Sequence, residues 1–538
     1  MPTYLDSFIY ETYLNNVWVD ISPYVIEDVT GEWGIYGNTP VDRVAGTGEM
    51  RIVLENSTGL FTPGLNQTLS GWKKGVPFRV TCVFEGKPTV KFYGTVRKID
   101  FDSGILNAGN AYVTILDWMN TAAEHPILLS SILTDKRIDE AVTNIVNNMP
   151  IQPLNRQFAL GIDTFPSVFD NTKPSTKALT EFNKLGLSEL GYIYLKKDAQ
   201  YGETLVVESR NSRGISSEPS PLPKSRGTSS RLMTEDGKYI VTENREKIIL
   251  DELLEKTAYI NNMIDVDVDY GEDVINFVSS KIYPRNKSTT LETLFSLNSP
   301  IRLLAGEKKE NIKITYKDPT GGNVRINADP LTMVTPVATT HYLMWSNQNG
   351  SGTNLTANLV LSVTFGSEGA IYSIENVGAT TGYVTKVIFQ GYPIYMFDPI
   401  EYLVEDADSI NEHGYKQMTI EQKYQTSPSL SATYANTILS QSKTAKKILR
   451  RVDFIANTSD DLMMAFLYHD IGSLIYIKHD KTGIDGFYYI DAVQFKFKQG
   501  GAIYFSWKVR YATTLEEIYW LVGVDGYSEL GETTIIGY

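Results

Sequence analysis

The sequence is poor in the residues that most often build disulfides and metal sites. Its 538 residues include one cysteine, Cys82, and five histidines. A single cysteine excludes an internal disulfide and any zinc site that needs several cysteines. Five histidines are few for a metalloenzyme of this length. We therefore predict no metal site and no cofactor.

Motifs of common enzyme classes are also missing. The chain contains no His-Glu-x-x-His, no Gly-x-Ser-x-Gly and no phosphate-binding loop, which are the patterns of zinc proteases, serine hydrolases and nucleotide-binding proteins. We find no pair of carboxylates and no cysteine–histidine pair suited to catalysis. We therefore predict that the protein is not an enzyme and has no catalytic residues.

Long hydrophobic runs are absent. No stretch approaches 18 uninterrupted apolar residues, so we predict no membrane-spanning helix. The first residues carry neither a basic region nor an apolar region, which argues against a signal peptide. We expect the chain to be made in a cytosol and kept there until it is assembled.

The charge balance is acidic. The sequence has 49 Lys and Arg against 63 Asp and Glu, a formal net charge of −14. A chain of this kind does not bind nucleic acid over its whole surface. Hydrophobic residues make up 42% and charged residues 21%, which is typical of globular proteins. The length predicts several domains.

The composition favours β structure, because 33 Tyr and many β-branched residues suit a pleated, half-buried surface. Residues 1–124 contain short alternating segments with frequent turn signals, such as Phe78-Arg-Val-Thr-Cys-Val-Phe. Such segments predict an antiparallel sandwich or barrel. We interpret this region as a first β domain.

Residues 125–240 change to an α+β pattern. Apolar spacing predicts a helix starting at Arg137 with Asp135 as N-cap, and a second helix starting at Thr176 with Gly186 as C-cap. A loop at 208–237 is rich in Ser, Pro and Gly. Its basic residues are Arg210, Arg213, Lys224, Arg226 and Arg231. We hypothesise that this loop contacts an acidic neighbour or DNA; the alternative is a solvated, flexible loop.

The second half of the chain returns to strands. We assign residues 241–294 to a β segment that rejoins the core and residues 295–397 to an inserted β-sandwich module. Residues 398–520 are predicted to form a second β domain with a helix around Ala432, and residues 521–538 a C-terminal tail. The predicted fold class is mainly β with α+β parts, in several domains.

Two acidic or histidine patterns invite a functional interpretation, and a structural one is preferred for both. Alternate acids at Asp265, Asp267 and Asp269 resemble the start of a calcium loop, but the required later glycine and glutamate are missing. We interpret them as the exposed face of a strand. The His469-Asp470 and His479-Asp480 pairs lack a nucleophile, and we predict surface histidines. Cys82 lies in an apolar strand, which predicts a buried, inert thiol.

The chain contains a weak internal repeat. Gly75-Val-Pro-Phe-Arg-Val, Phe92-Tyr-Gly-Thr-Val and Tyr112-Val-Thr-Ile are followed late in the chain by a similar series. That series is Gly472-Ser-Leu-Ile-Tyr-Ile, Phe487-Tyr-Tyr-Ile-Asp-Ala-Val and Tyr504-Phe-Ser-Trp. If the repeat is real, a trimer contains six similar units and matches a six-fold tube.

These segments resemble phage tail-tip or baseplate hub proteins with two tube-like β-barrel domains. The opening of the chain carries the resemblance in Trp18-Val-Asp-Ile-Ser, Met50-Arg-Ile-Val-Leu-Glu-Asn-Ser-Thr-Gly-Leu-Phe, Gly75-Val-Pro-Phe-Arg-Val, Phe92-Tyr-Gly-Thr-Val and Val113-Thr-Ile-Leu-Asp. The closing part carries it in Asp408-Ser-Ile-Asn-Glu-His-Gly, Asp470-Ile-Gly-Ser-Leu-Ile and Phe487-Tyr-Tyr-Ile-Asp-Ala-Val. It covers about residues 10–120 and 400–515.

The resemblance implies a homotrimeric structural hub in the virion tail tip. Its tube-like domains ring a DNA conduit used in DNA ejection and host entry, and an α+β domain braces them. Implied partners are the tail tube or distal tail protein, the tape measure protein, a central fibre or tip protein and, transiently, phage DNA. Two alternatives stay open: a receptor- or carbohydrate-binding tail protein acting through 295–397, and a hub that cleaves cell walls.

Overall fold

The computed structural model describes residues 5–102, 109–127, 132–169, 176–197, 202–210, 212–213, 258–271, 273–322 and 324–512. Strands greatly outnumber helices within these ranges. The predicted fold class, mainly β with α+β parts, is confirmed. The bounds of the individual domains stay predictions.

The first strands alternate buried and outward side chains. In the strand over 77–84, Phe78, Val80 and Cys82 are fully buried, whereas Arg79 between them is half-buried. This period of two places one face on a core. We call these strands the first β unit: β1 (Ser7–Leu14), β2 (Val17–Asp20), β3 (Val29–Gly34), β4 (Glu49–Glu55), β5 (Pro77–Phe84), β6 (Lys87–Phe101) and β7 (Asn110–Leu116).

An α+β segment follows, in which β8 and β9 both pair with β10, the first parallel and the second antiparallel. Helices pack beside this small sheet and share its core. The elements are α1 (Trp118–Glu124), α2 (Ile138–Asn147), β8 (Asn155–Phe158), α3 (Ala178–Glu189), β9 (Tyr192–Lys196) and β10 (Thr204–Glu208).

The predicted caps of α2 and α3 are wrong. Asp135 lies outside α2 with a positive φ of 54°, and Arg137 occupies the N-cap position. The backbone N–H of Arg137 donates to the carboxylate of Glu140 at 3.1 Å, which satisfies one free donor at the helix start. Helix α3 continues through Gly186 and ends where Leu190 adopts the left-handed conformation, the usual geometry of a helix end.

The middle of the chain forms three further strands and then the inserted module. The three strands are β11 (Ala258–Ile260), β12 (Asp265–Tyr270) and β13 (Phe277–Ile282). The strands from 285 to 396, which span the predicted module at 295–397, are β14 (Arg285–Lys287), β15 (Glu292–Ser296), β16 (Ile301–Leu303), β17 (Lys308–Thr315), β18 (Arg325–Ala328), β19 (Tyr342–Trp345), β20 (Leu359–Phe365), β21 (Gly369–Asn376), β22 (Gly382–Gly391) and β23 (Pro393–Met396). They form three small antiparallel sheets around a hydrophobic cluster of their own.

The last described part of the chain combines strands with three helices. Its elements are β24 (Ile400–Glu405), α4 (Ala407–His413), β25 (Gln417–Gln422), α5 (Pro428–Ser442), β26 (Lys447–Ile455), α6 (Asp460–Tyr468), β27 (Leu474–His479), β28 (Ile484–Phe497) and β29 (Ile503–Tyr511). Strands β24 and β25 flank β13, and α5 packs on this small sheet. We call β11, β12 and β26–β29 the second β unit.

The two β units belong to one sheet. Thirteen strands of the described residues are connected, in the order β12-β26-β29-β28-β3-β4-β7-β6-β5-β1-β2, with β27 between β28 and β11. Both units and the α+β segment share one hydrophobic core. None of the described helices is long and apolar enough to span a membrane.

Candidate assembly interface

The two β units repeat the same strand order. In the first unit the order is β3-β4-β7-β6-β5, and in the second it is β12-β26-β29-β28-β27. Each contains one long strand, of 15 residues in β6 and 14 in β28. The outermost strands differ, because β1 pairs with β5 antiparallel whereas β11 pairs with β27 parallel. The repeat therefore covers the five central strands of each unit.

The same pair of turn hydrogen bonds marks both repeats. The N–H of Gly75 donates to the carbonyl of Val96 at 2.8 Å, and the N–H of Val96 donates back to the residue after the glycine at 3.0 Å. In the second unit, Gly472 and Ile490 make the same two bonds at 2.9 and 3.1 Å. Both glycines have a positive φ, 95° and 82°, which suits a residue without Cβ. The predicted match of Gly75 with Gly472 is confirmed.

A β-bulge fixes the register between the repeats. Strand β6 shifts register against β7 at Arg97, and β28 shifts against β29 at Asp491. The long strands therefore correspond with an offset of 491 − 97 = 394 residues. The sequence-based match of Phe92 with Phe487 uses an offset of 395 and is wrong by one residue. A slip of one residue reverses the faces of a strand.

Within the chain, the two units meet where β3 pairs with the second half of β28. Residues 29–34 run antiparallel to residues 492–497. The indole N–H of Trp33 donates to the buried carboxylate of Asp470 at 2.8 Å. The rings of Phe8 and Phe497 lie 4.5 Å apart across the junction. The junction is therefore a continuous, buried sheet contact.

A buried ion cluster fastens the α+β segment to this junction. Asp491 accepts from Arg213 and from Arg510, both at 2.7 Å, and Arg213 also binds Glu208 at 2.7 Å. The Arg213 guanidinium stacks 3.7 Å from the centre of the Tyr192 ring. Burial opposes ionisation of Asp491, but the two guanidinium groups outweigh it and hold the pKa of that carboxyl below its ordinary value.

A second buried cluster centres on Lys197. Its ammonium group lies 3.2 Å from Asp117 and 3.6 Å from Glu203, and its backbone N–H donates to Asp470 at 2.6 Å. Burial raises the pKa of Glu203 to about 7. Nearby, the ammonium of Lys91 on β6 donates to the carbonyl of Phe466 at 2.6 Å. These contacts join the first unit, the α+β segment and α6.

The basic-loop hypothesis is wrong for two of its five residues. Arg213 is bound in the buried cluster, and Arg210 binds Asp163 at 2.5 Å and the hydroxyl of Tyr434. Both guanidinium groups are engaged by carboxylates of the same chain. The other three basic residues, Lys224, Arg226 and Arg231, lie outside the described residues.

His469 is half-buried and does not lie fully at the surface as predicted. Its ring contacts Trp507, and burial together with Lys91 and Lys196 lowers the pKa of His469 to about 4. Asp265 and Asp267 lie exposed on β12 as predicted, whereas Asp269 is half-buried and binds Arg450. No group of three or more His, Cys, Asp or Glu able to hold a metal occurs in the described part of the chain.

Cys82 is fully buried, as predicted, and burial raises the pKa of its thiol to about 12. Since the thiolate is the reactive form, we expect native protein to react with a thiol reagent on the order of a thousandfold more slowly than a free cysteine. The release of chromophore from an aromatic disulfide reagent at pH 8 measures this. Unfolding in guanidinium provides the control, because it should restore reaction of one thiol per chain. Rapid labelling of native protein would contradict the buried position.

The aromatic residues of the inserted module are used in its core. Tyr316, Tyr372 and Phe389 are buried, and Phe295 stacks on Phe389. Among the described residues 295–397, no tyrosine or tryptophan is among the well-exposed large hydrophobic side chains; Phe397 is 47% exposed. The carbohydrate-binding alternative was motivated by exposed aromatic residues, and it loses that support.

The buried charges that connect the two β units with the α+β segment were not predicted from the sequence. Lys91 and Asp491 each lie between apolar neighbours, where an ion is stable only with a partner. That pattern was a usable signal that each has a buried counter-charge or hydrogen-bond partner. The identity of the partners was not readable, because they lie far away in sequence.

No protein-family model matches the chain, and no curated protein matches its sequence. Solved structures do match. One is a 43 kDa tail protein of prophage MuSo2 from Shewanella oneidensis, with 8% identity and a TM-score of 0.44 over 94% of this chain and 98% of that protein. A tail protein from Neisseria meningitidis has 7% identity and a TM-score of 0.45 over 94% and 96%.

A prophage tail protein from Listeria monocytogenes matches with 9% identity and a TM-score of 0.38, over 95% of this chain and 97% of that protein. The matched proteins are tail proteins, the class named by the sequence resemblance.

Proposed function

We propose that this chain is a structural, non-enzymatic virion protein that forms a trimeric hub at a phage tail tip. The hub joins the six-fold tail tube to a three-fold tip or fibre and lines the conduit through which DNA leaves. The observation that supports this most directly is the repeated strand order of the two β units. With two similar units in each chain, three chains supply 2 × 3 = 6 units.

The repeat lets one chain match two different symmetries. A ring of six similar units presents six similar contact sites to a six-fold tube, although only three chains build it. The parts outside the repeat, such as the inserted module at 295–397, occur once per chain. They therefore present three-fold symmetry to the tip. One chain can thus connect the two symmetries.

The proposed partners follow from this position. We infer contacts with the tail tube or distal tail protein on one side, with a central fibre or tip protein on the other, and with the tape measure protein in the lumen. The net charge of −14 suits a conduit, because a negative wall repels the DNA backbone and permits sliding. Contact with DNA is then transient and non-specific.

Copy number in purified particles tests the proposal. We expect three copies of this chain per tail against six copies of the tube protein per ring, and antibody labelling confined to the tail tip. Quantitative mass spectrometry with isotope-labelled peptides measures the ratio, and electron microscopy with gold-labelled antibody locates the chain. Six copies per tail, or labelling along the tube, would count against the hub.

A further inference from the structure

The last four residues of the long strand β6 have a free edge among the described residues. In the second unit, β28 is paired on one side by β29 and on the other by β27 and then β3. In the first unit, β6 is paired by β7 on one side, but β5 ends opposite Thr95. From Lys98 to Phe101, the described residues provide no backbone partner on the side away from β7.

The exposed side chains agree with an open edge. The side chain of Lys98 is 67% exposed and Phe101 is 39% exposed. The equivalent residues of β28, 394 positions later, include Phe495, which is buried under β3. An open strand edge of this kind is a ready template for another strand.

A second free edge lies at the opposite end of the sheet, on β12. Strand β12 pairs with β26 on one side and is the terminal strand of the thirteen-stranded sheet within the described residues. It holds the same place in the second unit that β3 holds in the first. Tyr270 at its end is 71% exposed, and Ile264 just before it is 56% exposed.

We propose that β12 of one copy pairs antiparallel with residues 98–101 of β6 in a neighbouring copy. The partner is a second copy of this chain, because the same contact already exists inside the chain between β3 and β28. Strand β6 is the equivalent of β28 but lacks a partner in the place of β3. Strand β12 is the equivalent of β3 but lacks a partner in the place of β28. Pairing between two copies, in the geometry of β3 with β28, provides backbone hydrogen-bond partners for both free edges.

The internal contact also supplies the register. Lys98 corresponds to Ala492, which faces Gly34 of β3. Arg51 of β4 and Arg451 of β26 are equivalent, because they face the β7 and β29 residues that pair with Lys98 and Ala492. Two residues earlier, Glu49 pairs with Glu32 of β3 and Leu449 pairs with Val268 of β12, so Glu32 corresponds to Val268. Two residues further on, Gly34 therefore corresponds to Tyr270. Lys98 of one copy faces Tyr270 of the next.

Such a contact is head-to-tail, because the two edges belong to different surfaces of the chain. Head-to-tail contacts close into a ring when the rotation allows it. Closure after three chains rests on the proposed hub function, whereas the strand contact itself does not. The two statements can therefore be tested separately.

Disulfide trapping tests the contact in the full-length chain. The double variant Lys98→Cys/Tyr270→Cys places two thiols on facing strand residues, at a separation that suits a disulfide. Both side chains are exposed, so folding should be unaffected, and Cys82 is buried and does not compete. On oxidation of assembled tails, we expect covalent dimers and a closed trimer on non-reducing gels, with at least half of the chain cross-linked.

Matched variants separate the outcomes. Lys98→Cys/Val17→Cys uses the exposed end of β2 and should give less than one tenth of the cross-linking. Each single variant should give no trimer. If tails contain three copies but the Lys98/Tyr270 pair does not cross-link, the strand contact is overturned while the hub proposal stands. If cross-linking is efficient but produces chains longer than trimers, the contact stands and the trimeric hub is overturned.

Discussion

Replacing Asp491 by alanine is expected to lower the free energy of unfolding of the shared core by about 3–5 kcal/mol. The carboxylate is 1% exposed and binds Arg213 and Arg510 at 2.7 Å each. Its removal leaves the buried guanidinium group of Arg213 and the half-buried one of Arg510 close together without their common counter-charge. Urea unfolding followed by tryptophan fluorescence measures the loss, because Trp33 and Trp507 lie in the same core.

A matched surface carboxylate provides the control. Asp267 lies exposed on β12, and Asp267→Ala should change the free energy of unfolding by less than about 0.5 kcal/mol. Equal effects of the two substitutions would contradict the role of the buried cluster. The Asp267 side chain also lies outside the junction between the units, so its replacement leaves that junction intact.

Acid titration gives the same cluster a second readout. The pKa of Asp491 is lower in the folded chain than in the unfolded chain, so its stabilisation is present above the unfolded pKa and is lost as the pH falls through the folded pKa. We expect wild-type stability to fall steeply below about pH 4. Asp491→Asn should show a weaker dependence over that range. If Asp491→Asn leaves the loss of stability at low pH unchanged, other carboxylates cause that loss.

Local patterns were sufficient to predict most strands of the two units. Alternation in segments such as 77–84 reports one buried face, and that property depends only on neighbouring residues. The helix α5 was also predicted from its local sequence. By contrast, α6 was missed because buried residues occur nearly all round it, including Leu462, Met463 and Phe466. A helix without a polar stripe has no clear 3.6-residue period.

The candidate interface depends on contacts that no local pattern contains. Trp33 and Asp470 are 437 residues apart in sequence and 2.8 Å apart in space. Arg213 was assigned to a basic loop because its local neighbours are polar, yet its partner Asp491 lies 278 residues later. The internal repeat was visible as spacing, but the bulges that set its register were not. Only the strand pairing distinguishes an offset of 394 from 395.

Replacing Gly34 by alanine is expected to separate the two β units within the chain. Gly34 has a φ of 129°, and an added Cβ would lie 2.5 Å from the Asp491 carbonyl oxygen and from the Cα of Ala492. Neither atom is a flexible side-chain end, so β3 must move away from β28. The strained backbone and the overpacking together should lower the free energy of unfolding by about 3–5 kcal/mol. Thermal unfolding and the fluorescence of Trp33 measure the loss.

A glycine in open space distinguishes backbone strain from the clash. Gly86 has a φ of 71° and no atom within 4 Å of an added Cβ, so Gly86→Ala carries the strain alone and should cost about 1–2 kcal/mol. The difference between the two variants reports the close contact of β3 with β28 together with the greater backbone strain at a φ of 129°. Equal losses would mean that the junction tolerates a methyl group at Gly34. A larger loss for Gly34→Ala, together with fewer assembled tails, would identify this contact as the one that holds the repeated units in register for the ring.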